Sequence, residues 1–437
     1  MEKCKYCGTH TNITYLLRTN IKRTRLPAMI FRNLKPSVKL ISFCVLLGAL
    51  NSATAQISGG VVKIGVLTDM SGAYSDLTGA SSVFATEMAI EDFIAKEKPN
   101  FKIEMVKADH QNKPDIAANK AREWFERDGV DTATELVTTS VALAVMKLAK
   151  EKDRIAIVNG AGSTAITNEH CNNVTVHYTY DTYALANGTA KAVTQNGGKS
   201  WFFLTADYAF GHALESDAAR VVQSSGGKVI GSVRHPFPGS DFSTFLLKAQ
   251  SSGAQIIGLA NAGPDTLNSI KQAAEFGITP KQTLVGLLMG INDIHALGLK
   301  ATQDMYITDA FYWDFNDETR AWSRRFFEKQ KRMPNRAQAG QYSSVYHYLK
   351  AVKATGTDET YAVMDAMKKA KINDFFAKNG VIRQDGLMVH TMYLIQVKKP
   401  AESKYPWDYY NVRQVIPAEE AFQPLALSKC ALVGKKG

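Results

Sequence analysis

The chain has 437 residues, 45% of them hydrophobic and 10% aromatic, enough for a globular protein of two domains with packed cores. A net charge of +11 suggests a nucleic-acid or membrane partner. The first 56 residues, however, carry nine Lys or Arg and one acid, which leaves 43 basic and 40 acidic residues beyond them. The excess belongs to a leader, and the rest of the chain gives no case for nucleic acid.

That leader reads as a secretory signal. Lys35 and Lys39 precede LISFCVLLGAL, an apolar run too short for a bilayer, which takes about 20 residues. Ala53-Thr54-Ala55 then forms a small-x-small cleavage pattern, so a leader over 1–55 cleaved after Ala55 is expected, with an uncleaved interfacial anchor as the alternative. Cys44 lies inside the apolar run, where a lipid-anchoring cysteine would follow it. Residues 1–28 are unusual for a signal peptide, and Met29 makes a more ordinary start. Cys4 and Cys7 with His10 resemble half of a zinc site, but a closed site needs four ligands and no second pair follows. No metal and no cofactor are expected. Beyond the leader only Cys171 and Cys430 remain, and the sequence leaves their pairing open.

From residue 61 onward short apolar strands alternate with helices. VVKIGVLTD reads as a strand, SSVFATEMAIEDFIAKE as an amphipathic helix, FKIEMVKAD as a strand, and PDIAANKAREWFERDG as a helix with Pro at its start and Gly at its end. TELVT, ALAVMKLAKEKD and RIAIVNG continue the alternation. A second series follows YDTY: ALANGTAKAVTQNGG, SWFFLTAD, HALESDAARVVQSSGG, KVIGSVRH, DFSTFLLKAQSSG, AQIIGLAN, DTLNSIKQAAEFG and QTLVGLLM. Such alternation means parallel strands covered by helices through right-handed crossovers. Two series predict two similar α/β lobes. DMYITDAFYW then introduces helices rich in Arg, Tyr and Lys through about residue 371. No linker or low-complexity tract divides the lobes, which points to several short crossings.

Ligands on open parallel sheets bind at the carboxyl ends of the strands. The segments leaving those ends are TDMSGAYSD, VTTSVA, NGAGST, YTYDTY, TADYAFG, ANAGPD, LLMGIND and TDAFYWD. Hydroxyls, glycines and aromatics recur there while His and clustered acids are scarce. This inventory suits hydrogen-bonded recognition of a small polar molecule better than acid–base turnover.

Three motifs imitate other functions. Gly160, Gly162 and Ala165 satisfy G-x-G-x-x-A after a strand, with Asp181 about where a ribose-binding acid would lie. A dinucleotide unit needs a crossover helix of ten or more residues, and STAITNEHCNN has no helical apolar face. A tight turn fits better, or backbone N–H groups and Ser163 Oγ turned toward an anion. GGKS at 197–200 lacks the first Gly of a phosphate loop and precedes a strand. SRRFFEKQKR reads as a solvated helix face.

KIGVLTDMSGAYSDLTG, NGAGSTAIT, FFLTADYAFGHAL and GLANAGPDTLNSIKQA, in that order in an exported chain, resemble the periplasmic substrate-binding proteins of ABC transporters, of the branched-chain amino acid type. The resemblance runs from about Val61 to Tyr410. It implies a type I periplasmic binding protein fold: two Rossmann-like lobes with parallel sheets, joined by a three-strand hinge. Residues 56–181 with 310–388 would make lobe 1, and 182–309 with 389–437 lobe 2. By position, Thr139 or Ser140, Gly160, Ala161 and Ser163 match the family's grip on a ligand carboxylate, with Ser71 and Tyr74 nearby. Phe210 matches an aromatic of the second lobe, next to Asp207 and Tyr208; Asn261 and Ala262 match the next contact loop.

Amino-acid binders of this family place an acid in the loop corresponding to LLMGIND; here that position falls near Met289, with Asp293 farther along. Asp181 is left to pair an amine, whereas Tyr180 and Tyr183 beside it equally suit an aromatic ring. The ligand stays open among amino acids, aromatic acids, amides and dicarboxylates. The resemblance implies a periplasmic, monomeric, non-enzymatic protein that delivers a small carboxylate-bearing ligand to ABC permease subunits by cleft closure. An exported receptor domain shares the fold, and an exported amidohydrolase or dehydrogenase is the more distant alternative.

Overall fold

A computed structural model describes residues 56–434. The leader, with Cys4, Cys7 and Cys44, lies outside the described residues. The first sheet is parallel and runs in the order β2-β1-β3-β4-β5, from β1 (Val61–Thr68), β2 (Lys102–Asp109), β3 (Thr132–Glu135), β4 (Ile155–Val158) and β5 (Thr175–His177). Helices α1 (Gly79–Glu97), α2 (Pro114–Glu123) and α3 (Thr139–Glu151) connect them. Both faces of its inner strands are covered, so β1 and β4 read as apolar runs, while the edge strand β2 alternates. Val62 and Ile64 share a core with Phe93 of α1, while Leu67 and Ala133 pack with Trp124 and Val145 on the other side.

The chain then leaves for a second parallel sheet, β7-β6-β8-β9, made of β6 (Ser200–Ala206), β7 (Lys228–His235), β8 (Ile256–Ala260) and β9 (Thr283–Gly286). Its helices are α4 (Thr182–Gln195), α5 (Ala209–Ser224), α6 (Ser243–Ser251), α7 (Pro264–Glu275), α8 (Ile291–Leu297) and the single turn α9 (Leu299–Thr302). In each sheet the second strand lies on one side of the first and the third on the other. Strand order therefore reverses beside β1 and beside β6, and a crevice opens there at the strands' carboxyl ends.

β10 (Tyr306–Asp309) returns the chain to α10 (Asp317–Gln330), α11 (Arg336–Thr355) and α12 (Thr360–Lys369). α11 packs along α1, on the first lobe. β10 packs on α4, where Gly188 permits close approach: a Cβ there would stand 2.1 Å from Thr308 Oγ1. No strands are expected beyond 313, yet four follow among the described residues. β11 (Val381–Ile382) and β12 (Met388–Val389) form a two-residue hairpin, too short to give a pattern. β13 (Met392–Val397) and β14 (Tyr410–Ile416) make an antiparallel sheet with β10, and β14 has a largely solvent-facing middle. A further difference is local: the expected strand TELVT stops at Glu135, because Glu135 and Leu136 turn to φ of 80° and 53°.

Cys171 and Cys430 form a disulfide with their Cα atoms 5.6 Å apart. It fastens the C-terminal tail, counted with the second lobe on sequence grounds, to the loop between β4 and β5 of the first. A bond closing so long a loop constrains the unfolded chain strongly, and its removal typically costs about 2–4 kcal/mol. The double variant Cys171→Ser/Cys430→Ser is expected to unfold at lower urea than the oxidised protein, and dithiothreitol should bring the native protein to the same midpoint. An unchanged midpoint would show the tail to be thermodynamically idle.

Candidate functional site

The loops leaving β1, β3 and β4 meet those leaving β6, β8 and β9 across one crevice, at the two points of strand-order reversal. On the first-lobe side the loop after β1 is shaped by Asp69, fully buried, whose carboxylate accepts the Gly72 N–H at 2.6 Å and the Tyr74 N–H at 2.7 Å. These two bonds fold the loop back over Asp69 and carry Tyr74 and Leu77 into the crevice. The loop after β3 is strained: Glu135, Leu136 and Thr138 all have positive φ, at a cost of about 1–3 kcal/mol each. The strain places Thr138 and Thr139 at the start of α3. Their hydroxyl oxygens are buried and bonded to nothing among the described residues.

The first intrahelical bond of α3 runs from Ala142 N–H to the Thr138 carbonyl at 3.0 Å, so the amides of 139–141 precede the hydrogen-bonded ladder. Opposite them, the loop 160–162 brings its backbone close. Tyr180 Oη donates to the Gly160 carbonyl at 2.7 Å, and a Cβ on Gly162 would stand 2.7 Å from the Tyr180 ring. Unbonded helix N–H groups, two hydroxyls without a partner among the described residues and the positive end of the helix dipole meet at this corner, and groups of this kind favour an anion.

The second lobe closes over it. Tyr208 and Phe210 from the β6 loop, Ala262 from the β8 loop and Leu288 from the β9 loop face Tyr74, Leu77, Thr138, Thr139, Gly160, Ala161, Gly162 and Tyr180 around a cavity of about 10 Å³, space for one water at most. Tyr74 Oη and Tyr208 Oη meet at 2.7 Å, and Phe237 stacks on both rings at 5.3 and 4.5 Å. Leu77, Ala262 and Leu288 also border a larger cavity of 330 Å³, walled by Asn292, Arg332, Arg336 and Trp407. Arg336 is 1% exposed. Its Nε donates to Asp309 Oδ1 at 2.6 Å, its Nη2 to the Met289 carbonyl, and its Cζ lies 5.5 Å over the Tyr180 ring.

Eight residues expected in the site line the small cavity: Tyr74, Thr139, Gly160, Ala161, Tyr180, Tyr208, Phe210 and Ala262. The other seven lie off it. Ser71 is exposed and donates to Asp109 at 2.5 Å. Ser140 is half-buried on α3, and Ser163 Oγ accepts the Ala165 N–H at 3.2 Å. Asp181 caps α4 through the Ala184 N–H at 2.7 Å, and burial pushes its pKa up to about 7. Tyr183 faces Arg220. Asn261 is spent on His235, Thr266 and Ser269. Met289 turns its side chain to Gly286 and offers only its carbonyl, to Arg336. Thr138, Gly162, Leu77, Leu288, Phe237 and Arg336 are additions. Thr138 and Gly162 sit inside the quoted loops, but nothing in RMPNR marks Arg336 as buried.

Among the described residues no group of His, Cys, Asp and Glu is arranged to hold a metal ion, and no helix is long and apolar enough to cross a membrane.

A family model for periplasmic binding proteins matches residues 61–403. A crystal structure of a periplasmic binding protein from Burkholderia mallei is 55% identical, with a TM-score of 0.84, and covers 86% of this chain and 100% of its own. A branched-chain amino acid ABC transporter periplasmic ligand-binding protein from Burkholderia xenovorans is 39% identical, with a TM-score of 0.76, and covers 85% of this chain and 99% of its own. The Leu/Ile/Val-binding protein homolog 6 of Brucella melitensis is 24% identical over 377 residues, 82% of this chain and 93% of the relative.

Glu135 gives a test of the floor beneath the site. It is fully buried against Gly160, and neither carboxylate oxygen has a hydrogen-bond partner. Burial pushes its pKa up to about 8. The folded state then holds a proton that the unfolded chain, with an ordinary carboxyl near 4.5, releases. Stability from this group is complete below about 4.5 and declines by about 1.4 kcal/mol per pH unit until about 8. Glu135→Gln is expected to flatten that decline in urea titrations at pH 5 and 8.5. An unaltered slope would place the charge elsewhere.

Proposed function

The chain belongs to the periplasmic binding protein family, and on that footing we propose that it captures a small carboxylate-bearing solute outside the cytoplasm and hands it to the permease of an ABC importer. The observation that carries the carboxylate is the start of α3, where two buried hydroxyls without partners among the described residues and the first helical amides converge on an interlobe cavity. An anion can be held there without an arginine, because several N–H and O–H donors in a dry site replace its water.

In this reading Thr138, Thr139 and the Ala161 and Gly162 amides grip the carboxylate, while Tyr74, Tyr180, Tyr208 and Phe210 surround the adjoining part of the solute. The lobes divide near residues 181, 309 and 388, with the crossings between them as the hinge. Closure needs contacts that exist only when the lobes meet, and Tyr74–Tyr208 is one of them. The ligand joins such contacts and shifts the population toward the closed form. The closed form then offers the permease a surface built from both lobes. Membership of the family and the signal pattern read in residues 1–55 support a periplasmic location.

A thermal-shift screen of amino acids, aromatic acids, dicarboxylates and amides identifies the ligand class. Free ligand at 100 times its dissociation constant adds about 2.7 kcal/mol of stability. For the best acid found, Thr139→Val is expected to weaken binding roughly ten- to a hundredfold by calorimetry, since a hydrogen bond to a charged group is worth about 1.5–3 kcal/mol. Unchanged affinity would remove α3 from the grip, and shifts with amides but with no acid would end the carboxylate reading.

A further inference from the structure

The 330 Å³ cavity is separated from the grip only by Leu77, Ala262 and Leu288, which border both. Its far wall holds Arg336, whose Nε and Nη2 are engaged by Asp309 and the Met289 carbonyl and whose Nη1 has no partner among the described residues. The acids around it are already committed. Asp309 is bonded to Arg336, Asp293 accepts the Gly290 N–H at 2.8 Å, and Asp76 is held by Arg332 and Asn292. Lys331 adds a further positive charge at the rim, and burial and Arg332 hold His295 below its ordinary pKa, so it adds none near pH 7. A group arriving here thus meets one buried donor, an apolar neck behind it and, of the three acids, two held in ion pairs and Asp293 held only by N–H groups.

Resting on the carboxylate reading above, we infer that this cavity is a second subsite of the same cleft, and that the solute is a dicarboxylate with an apolar middle. One carboxylate sits at the start of α3, the middle passes Leu77, Ala262 and Leu288, and the second carboxylate accepts from Arg336. Guanidinium is suited to that role, being permanently charged and readily desolvated. An amino acid would set its ammonium group among Arg336, Arg332 and Lys331 with only Asp293 outside an ion pair, and it is the disfavoured ligand.

Matched series by calorimetry test this on the native protein: hexanoate, adipate and 6-aminohexanoate, then octanoate, suberate and 8-aminooctanoate, with phthalate isomers against benzoate. At least one diacid is expected to bind tenfold or more tighter than its monoacid, and the amino acids weaker than both. Monoacids or amino acids binding as tightly as diacids throughout would overturn the second subsite while leaving the grip intact. Binding by none of these acids would overturn the carboxylate reading itself, and the subsite with it. Two variants locate the second group. Arg336→Met with Asp309→Asn removes the buried pair together, and Ala296→Trp fills the cavity from an exposed position on its wall. Each is expected to bring the diacid-to-monoacid ratio below three. A ratio that survives in Ala296→Trp, whatever the folding of the other variant, would place the second carboxylate elsewhere.

Discussion

A single buried ion pair, Arg336 with Asp309, stands where the two lobes, the return strand and the cleft come together. Asp309 ends β10, Arg336 begins α11, and the guanidinium also reaches the carbonyl that follows β9 and covers the Tyr180 ring. Removing both charges from water costs several kcal/mol, which their attraction offsets only if the remaining donors are satisfied. Two of the three guanidinium nitrogens are satisfied by protein. Burial raises the Asp309 pKa and Arg336 opposes that shift, so the pair holds its charges only as a pair. Its value lies in geometry, for it fixes the register of α11, and with it Asn335, whose side chain donates to the Leu77 carbonyl on one lobe and Asn292 on the other.

The second constraint is the strand order. Two sheets that reverse direction beside their first strands open crevices at their carboxyl edges, and apposing those edges turns two shallow crevices into one enclosed site. The loops there depart from easy backbone geometry. Three of the four residues from 135 to 138 sit at positive φ without being glycine, strain that the packed floor beneath them absorbs. Glu135 is part of that floor, and a buried carboxyl without a partner is tolerated there because it stays protonated. Both costs support one arrangement, the free start of α3 facing the second lobe.

Most of the fold was legible because fully buried parallel strands carry an apolar run that helices interrupt with an amphipathic one. VVKIGVLTD and SWFFLTAD became β1 and β6 to within one residue. The late strands were not legible: β11 and β12 are two residues long, and β14 has a half-exposed surface that reads as polar. The loops of the site were legible for the same reason as the strands, since each follows a strand end. Which side chain in a loop faces the crevice was not. Ser71 and Ser163 look as well suited as Thr139 in the sequence, yet one donates to Asp109 and the other caps the turn at Ala165.

The sequence by itself determined the alternating architecture, the two lobes and the loops that gather at strand ends, because hydrophobic periodicity and chain order are local properties. Tertiary structure decided what those loops do. The decoy NGAGST became one wall of the interlobe cavity only once β4 lay beside β3 and α3 opened toward it. Arg336 became a cleft residue only when β10 and α11 brought Asp309 against it, and Cys171 found Cys430 across 259 positions. Contacts between residues so far apart in the chain leave no periodic trace in it; they exist only where folding brings the segments together.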